Sequence, residues 1–144
     1  MAFGRYFRFH RMNIPLIIQF SEFPSKDVNS QIVVAEIDKH IPFSVKRTYW
    51  IHSAKVASEH GQHAHLTAQQ MIVAIKGIMV VELMDRKGNI SEFELDNPSK
   101  GLYIPQENWL CVRMSANSTL LCFSSHLFQD QDTSFNKTEF LVPS

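Results

Sequence analysis

The chain has 144 residues, with 14 Lys+Arg balanced by 14 Asp+Glu, and it is 44% hydrophobic and 19% charged. That is the size of one domain, long enough to close a core without staples, and too apolar to be disordered. The zero charge balance excludes the broad positive field of a nucleic-acid binder.

No apolar run approaches the roughly 18–20 residues a membrane span needs; the longest are 14–18 and 71–75. Arg5, Arg8 and Arg11 precede the first of them, but Pro15 interrupts it and no small-residue cleavage site follows. It is therefore not read as an export signal, and a cytoplasmic protein is expected. Residues 1–26 are read as an N-terminal extension and first strand, 27–132 as a β-barrel, and 133–144 as a C-terminal tail, all one domain.

Taken in chain order, the punctuation indicates many short strands. Residues 31–37 are rich in Val and Ile, and 44–51 alternate around Val45, Tyr49 and Trp50. Residues 70–76 and 78–84 are two apolar, β-branched runs separated by Gly77. Asp85-Arg86-Lys87-Gly88-Asn89 is a hairpin turn signal, and 90–95 alternate strongly after it. Residues 101–104, 110–114 and 119–124 complete the series, and only the last 20 residues leave room for a helix. Short strands at intervals of about 8–12 residues predict an all-β sandwich or barrel, with a jelly roll the natural member for one domain. Cys111 and Cys122 lie inside apolar runs and are expected as buried thiols. Trp50 and Trp109 are expected in a core or an interface, and Glu92, Glu94 and Asp96 on a solvated strand face.

Three of the seven histidines fall within seven residues, Glu59-His60-Gly61-Gln62-His63-Ala64-His65. On a strand, alternate side chains share a face, so His63 and His65 project together while small Ala64 turns away. His60 lies across Gly61, where the chain is free to bend. Paired imidazoles serve proton transfer or metal ligation, because both titrate near neutrality. A metal site needs a third and fourth ligand, but Gln69 and Gln70 are neutral where a carboxylate is wanted, and His52 and His126 have no spacing argument. Arg47 and Tyr49 are two apart on one strand face; Arg suits a phosphate or sugar oxygen, Tyr offers a hydroxyl and a stacking face. The alternative readings are a polar surface strand for the histidines and a solvated Arg beside a half-buried Tyr.

Three segments together, Ile41-Pro42-Phe43-Ser44-Val45-Lys46-Arg47-x-Tyr49, Gly61-x-His63-Ala64-His65 and Gly101-Leu102-Tyr103-Ile104-Pro105-x-x-x-Trp109, resemble the cupin-type nucleotide-sugar 3,4-ketoisomerases related to WxcM-like proteins. The resemblance runs over about residues 27–132. It implies a jelly-roll homodimer with exchanged strands, acting on a dTDP-4-keto-6-deoxyhexose in deoxyaminosugar or O-antigen biosynthesis, with no metal or redox cofactor. It implies His63 as the base that removes the C3 proton and His65 as its proton partner. Arg47, Tyr49 and His60 fall near the nucleotide sugar, and Gln70 and Tyr103 line the barrel. The chain departs from the family at His60, where Arg is usual, and at Leu110, where histidine is common. Leu66 and Thr67 replace basic residues, and Asp27-Val28-Asn29-Ser30 replaces Asp-x-Arg-Gly. A relative that keeps the pocket without the reaction, and a metal-dependent cupin, are the alternatives.

Overall fold

The computed structural model describes residues 13–27, 29–53 and 55–141. The arginines at 5, 8 and 11, His10 and Val28 lie outside them. The strands, in chain order, are β1 (Leu16–Gln19), β2 (Ser21–Pro24), β3 (Gln31–Val34), β4 (Arg47–Ser53), β5 (Ser58–His65) and β6 (Gln70–Lys76). They continue with β7 (Met79–Met84), β8 (Ile90–Leu95), β9 (Lys100–Ile104), β10 (Trp109–Met114), β11 (Ser118–Ser124) and the two-residue β12 (Thr133–Ser134). A 3-10 turn at Asp130–Asp132 and one helical turn, α1 (Lys137–Phe140), are the helical elements among the described residues. No helix among those residues is long and apolar enough to cross a membrane.

Two five-stranded sheets face each other, one ordered β1-β9-β6-β11-β4 and the other β12-β5-β10-β7-β8, while β2 and β3 form a separate hairpin. Strand alternation sends one set of side chains from both sheets into a shared interior. Ile72, Ala74, Val81, Leu83, Leu102, Leu110, Val112, Leu120 and Cys122 are all buried there. The other face of the first sheet carries a second cluster, Phe20, Ile41, Phe43, Met71, Val73 and Tyr103. A third cluster of Ala64, Met84, Trp109 and Phe140 covers the outside of the second sheet, so the segment after Asp132 is tied to that sheet by β12 and Phe140.

The strand reading agrees closely with β6 and β8 and to within a residue for β7, β9, β10 and β11. The run at 31–37 stops at Val34, because the chain then turns back: His40 N–H and Ile41 N–H both donate to the Glu36 carbonyl, and Asp38 sits at φ +68°. The run at 44–51 is displaced to Arg47–Ser53. At the hairpin, the Asp85 carboxylate accepts from Lys87 N–H and Asn89 N–H while Gly88 takes φ +85°. Both cysteines are buried free thiols, and burial pushes Cys122 up to about 12. Trp109 is buried, whereas Trp50 is 67% exposed and belongs to no core. Glu92, Glu94 and Asp96 are exposed, with Glu92 paired to Arg113 at 2.9 Å and Asp96 to Lys100 at 3.0 Å.

Candidate active site

The histidine strand is not regular. Against β10, Leu110 stands opposite His63 but Cys111 stands opposite Gly61, so Gln62 is an extra residue, a β-bulge. Gly61 at φ +99° and Gln62 at φ +58° supply the left-handed backbone it requires. Registered partners share a face, and Leu110 and Val112 point inward, so the bulge also brings their partners His63 and His60 to the inner face. Three residues of spacing would otherwise have put those two on opposite sides.

At one end of the interior the apolar lining gives way to a polar chain of contacts. His63 Nε2 and His65 Nε2 are 3.3 Å apart, with the rings edge to face at 87°. Ala64 between them is fully buried on the other face. The side-chain amide of Gln70 reaches His65 Nε2 at 3.1 Å and donates to the Tyr49 hydroxyl at 3.2 Å. On its far side, His65 Nδ1 lies 3.2 Å from Asp132 Oδ2. The other carboxylate oxygen of Asp132 accepts from Thr67 N–H at 2.6 Å and from the Thr67 hydroxyl.

Burial, followed by the neighbouring His63, lowers the pKa of His65 against the opposing pull of Asp132. Burial raises Asp132, but the hydrogen bonds from Thr67 and His65 together outweigh it, and its carboxyl is held below its ordinary value. Tyr49 is pushed upward, chiefly by burial and then by the Cys122 thiol beside it, so it stays a neutral phenol. The pair at the centre is thus a neutral imidazole, next to a carboxylate, facing a second imidazole.

Among the described residues, Arg47 makes no salt bridge. Its guanidinium lies 5.5 Å from the Tyr49 ring centre and 5.6 Å from that of Phe128, and its buried Nε has no hydrogen-bond partner among the described residues. A cation beside two rings, with an unpartnered donor, suits a phosphate oxygen. Phe128 is 69% exposed and Phe135, whose ring centre lies 5.9 Å from that of His63, is 74% exposed.

The structure therefore brings His63, His65, Gln70, Tyr49 and Arg47 together. It does not bring His60 and Tyr103 to the same place. Ser58 Oγ donates to Ser53 Oγ at 2.9 Å, so His60 Nε2 donates to Ser58 Oγ at 3.0 Å; among the described residues no hydrogen bond or ring contact joins His60 to the histidine pair. Tyr103 does not line the barrel. It is registered opposite Met71, whose side chain faces the outer cluster, and its hydroxyl donates to Gln69 at 2.6 Å rather than approaching Gln70. Burial raises its pKa to about 12.

Two residues of this network, Asp132 and Thr67, are not among the site residues expected from the sequence. The carboxylate sits in the polar run Gln129-Asp130-Gln131-Asp132, whose composition does not single it out. No group of three or more His, Cys, Asp or Glu side chains among the described residues is placed to hold a metal ion. A surface depression lined by Asn13, Asp85, Arg86, Ser91 and Asn108 lies at the hairpin end and includes none of the site residues.

The family model FdtA: WxcM-like, C-terminal, matches residues 13–143. A TDP-4-oxo-6-deoxy-alpha-D-glucose-3,4-oxoisomerase of Aneurinibacillus thermoaerophilus is 34% identical over 108 residues, 74% of this chain and 76% of that protein. Among solved structures, WlaRA, a TDP-fucose-3,4-ketoisomerase from Campylobacter jejuni, is similar with a TM-score of 0.80 at 26% identity, over 88% of this chain and 93% of that one. QdtA, a sugar 3,4-ketoisomerase from Thermoanaerobacterium thermosaccharolyticum solved in complex with TDP, is similar with a TM-score of 0.76 at 25% identity, over 90% of this chain and 93% of that one. The nearly all-β fold, the paired histidines and these matches agree: the chain belongs to the FdtA family, WxcM-like, C-terminal, whose named relatives here are sugar 3,4-ketoisomerases.

Proposed function

We propose that this chain is a nucleotide-sugar 3,4-ketoisomerase that moves the carbonyl of a dTDP-4-keto-6-deoxyhexose from C4 to C3, in deoxyaminosugar or glycan biosynthesis. The observation that carries the proposal is the pair of imidazoles 3.3 Å apart at the polar end of the interior, with Arg47, whose buried Nε has no hydrogen-bond partner among the described residues, near them. His63 acts as base on the C3 proton. The C–H electrons become the C3=C4 bond and the carbonyl oxygen takes the charge, giving an enediolate; the O3 hydroxyl proton passes to O4, and as O3 forms the new carbonyl at C3 a proton returns to C4, with His65 as the partner that holds it. Arg47 takes the diphosphate, and Tyr49 and Gln70 orient the hexose. The relatives that act on TDP sugars, and the QdtA structure holding TDP, support this substrate class.

The same reading takes the two sheets as a cupin jelly roll over residues 27–132, in a cytoplasmic homodimer with exchanged strands. The exposed apolar side chains Phe23, Ile32 and Trp50 support such a partner surface; light scattering of the eluting protein tests it. Proton NMR of dTDP-4-keto-6-deoxyglucose in deuterated water tests the reaction. Exchange at C3 and a 3-keto product are expected; their absence, beside an active control enzyme, sinks the proposal. His63→Asn is expected to abolish turnover while the fold persists.

A second reading, a silent relative that binds the nucleotide sugar without turnover, is favoured by Leu110. This apolar residue is registered directly opposite His63, where the family resemblance places a histidine. Calorimetric binding without turnover is its signature.

A further inference from the structure

The hydrogen-bond pattern around His65 fixes more than its position. A carboxylate only accepts, so the nitrogen facing Asp132 Oδ2 at 3.2 Å, Nδ1, must carry the proton. A neutral imidazole then has its lone pair on Nε2. Two donors converge on that lone pair, the Gln70 amide at 3.1 Å and His63 Nε2 at 3.3 Å. Were His63 Nε2 also unprotonated, two lone pairs would oppose each other, so His63 holds the proton between the rings. Asp132 is itself unable to turn, because Thr67 donates to its other oxygen from both backbone and side chain.

We propose that Asp132 is a positioning residue, clamped by Thr67, which holds His65 in the Nδ1–H tautomer and thereby makes the two histidines donor and acceptor of one shared proton. What this does for catalysis rests on the isomerase reading. When His63 takes the C3 proton on its free nitrogen lone pair, the C–H electrons form C3=C4 and the carbonyl oxygen gains the charge. His63 then passes its Nε2 proton to His65 Nε2 and is neutral again. The positive charge then lies on His65, where the Asp132 carboxylate 3.2 Å away offsets part of the cost of burying it. Asp132 never touches the sugar.

Long-range proton–nitrogen correlation spectra of the nitrogen-15-labelled full-length protein at neutral pH read the tautomer directly. His65 is expected with Nδ1 protonated and Nε2 bare, and Asp132→Asn, whose amide can present a proton to Nδ1, is expected to move it towards Nε2–H. Turnover of the same variant is expected to fall by at least about 10²-fold in kcat with KM nearly unchanged. Thr67→Val, which removes one hydrogen bond to Asp132 and leaves the carboxylate, is expected to lose less in the same direction. Wild-type His65 found in the Nε2–H form, or a folded Asp132→Asn protein turning over at the wild-type rate, overturns the proposal. If the tautomers come out as stated but wild-type protein leaves the keto sugar unchanged, the positioning role is supported and the isomerase reading is the one that fails.

Discussion

Substituting Ala for Gly61 probes the bulge on which the inner histidine face depends. An added Cβ would lie 2.5 Å from the Leu110 carbonyl oxygen, 3.1 Å from its carbon and 3.3 Å from Cys111 Cα. All three are backbone atoms of the neighbouring strand, so no side chain can swing aside. The φ of +99° adds about 1–2 kcal/mol of strain for any residue with a Cβ. Parting β5 from β10 enough to relieve the overlap sacrifices one or two ladder hydrogen bonds, each worth about 1 kcal/mol net. The expected loss is therefore about 3 kcal/mol, out of a total of roughly 5–15 kcal/mol for a domain. With a urea slope of about 2 kcal/mol/M, the midpoint should fall by about 1.5 M. Urea titrations followed by tryptophan fluorescence measure it. A loss below about 0.5 kcal/mol would refute the argument that backbone, and not side-chain accommodation, governs this position.

Arg47→Met should leave the fold intact while weakening TDP binding by about tenfold or more, because a charge-assisted contact is worth about 1.5–3 kcal/mol; calorimetry measures this, and unchanged affinity would remove Arg47 from the anion site. Tyr49→Phe deprives a buried Gln70 N–H of its acceptor, so a stability loss of about 1–3 kcal/mol is expected in the same urea assay. Acid should destabilise the protein through His40 and His65, whose pKa values burial lowers from the ordinary 6.5. The unfolded chain then binds the protons first, so their contribution is complete above about pH 6.5 and is lost as pH falls below it. Urea midpoints at pH 7.5 and 5.5 test the sign, and His40→Gln should flatten the difference; a protein more stable at pH 5.5 would contradict it.

The apolar run at 70–76, closed by Gly77, and the alternation at 90–95 after the Asp85–Asn89 turn were enough to place β6 and β8. The same alternation correctly put His63 and His65 side by side, since it needs only the two-residue period. What it lacked was register. Gln70 and Tyr103 are on adjacent strands, and only the pairing of Tyr103 with Met71 shows that they face opposite ways. Likewise the bulge at Gln62 changes the face of His60 by inserting one residue, which no count along a single strand contains. Asp132 was invisible for a different reason. It acquires its role from Thr67 and His65, brought to it by the folding of two distant segments, and a carboxylate among glutamines carries no local mark of that.

The hydrogen bond between His65 and Asp132 joins positions 67 residues apart, and Thr48 bonds Cys122 across 74. Closing a loop of that length costs about 4 kcal/mol of chain entropy before any contact repays it. A chain emerging from the ribosome thus displays both histidines and Arg47 long before the segment that completes them has been made. Refolding should be slow in the manner of non-local β-proteins, on the scale of milliseconds to seconds, and nucleotide binding should be recovered no earlier than the global fluorescence change. The chemistry of this chain is in that sense the last property its folding creates.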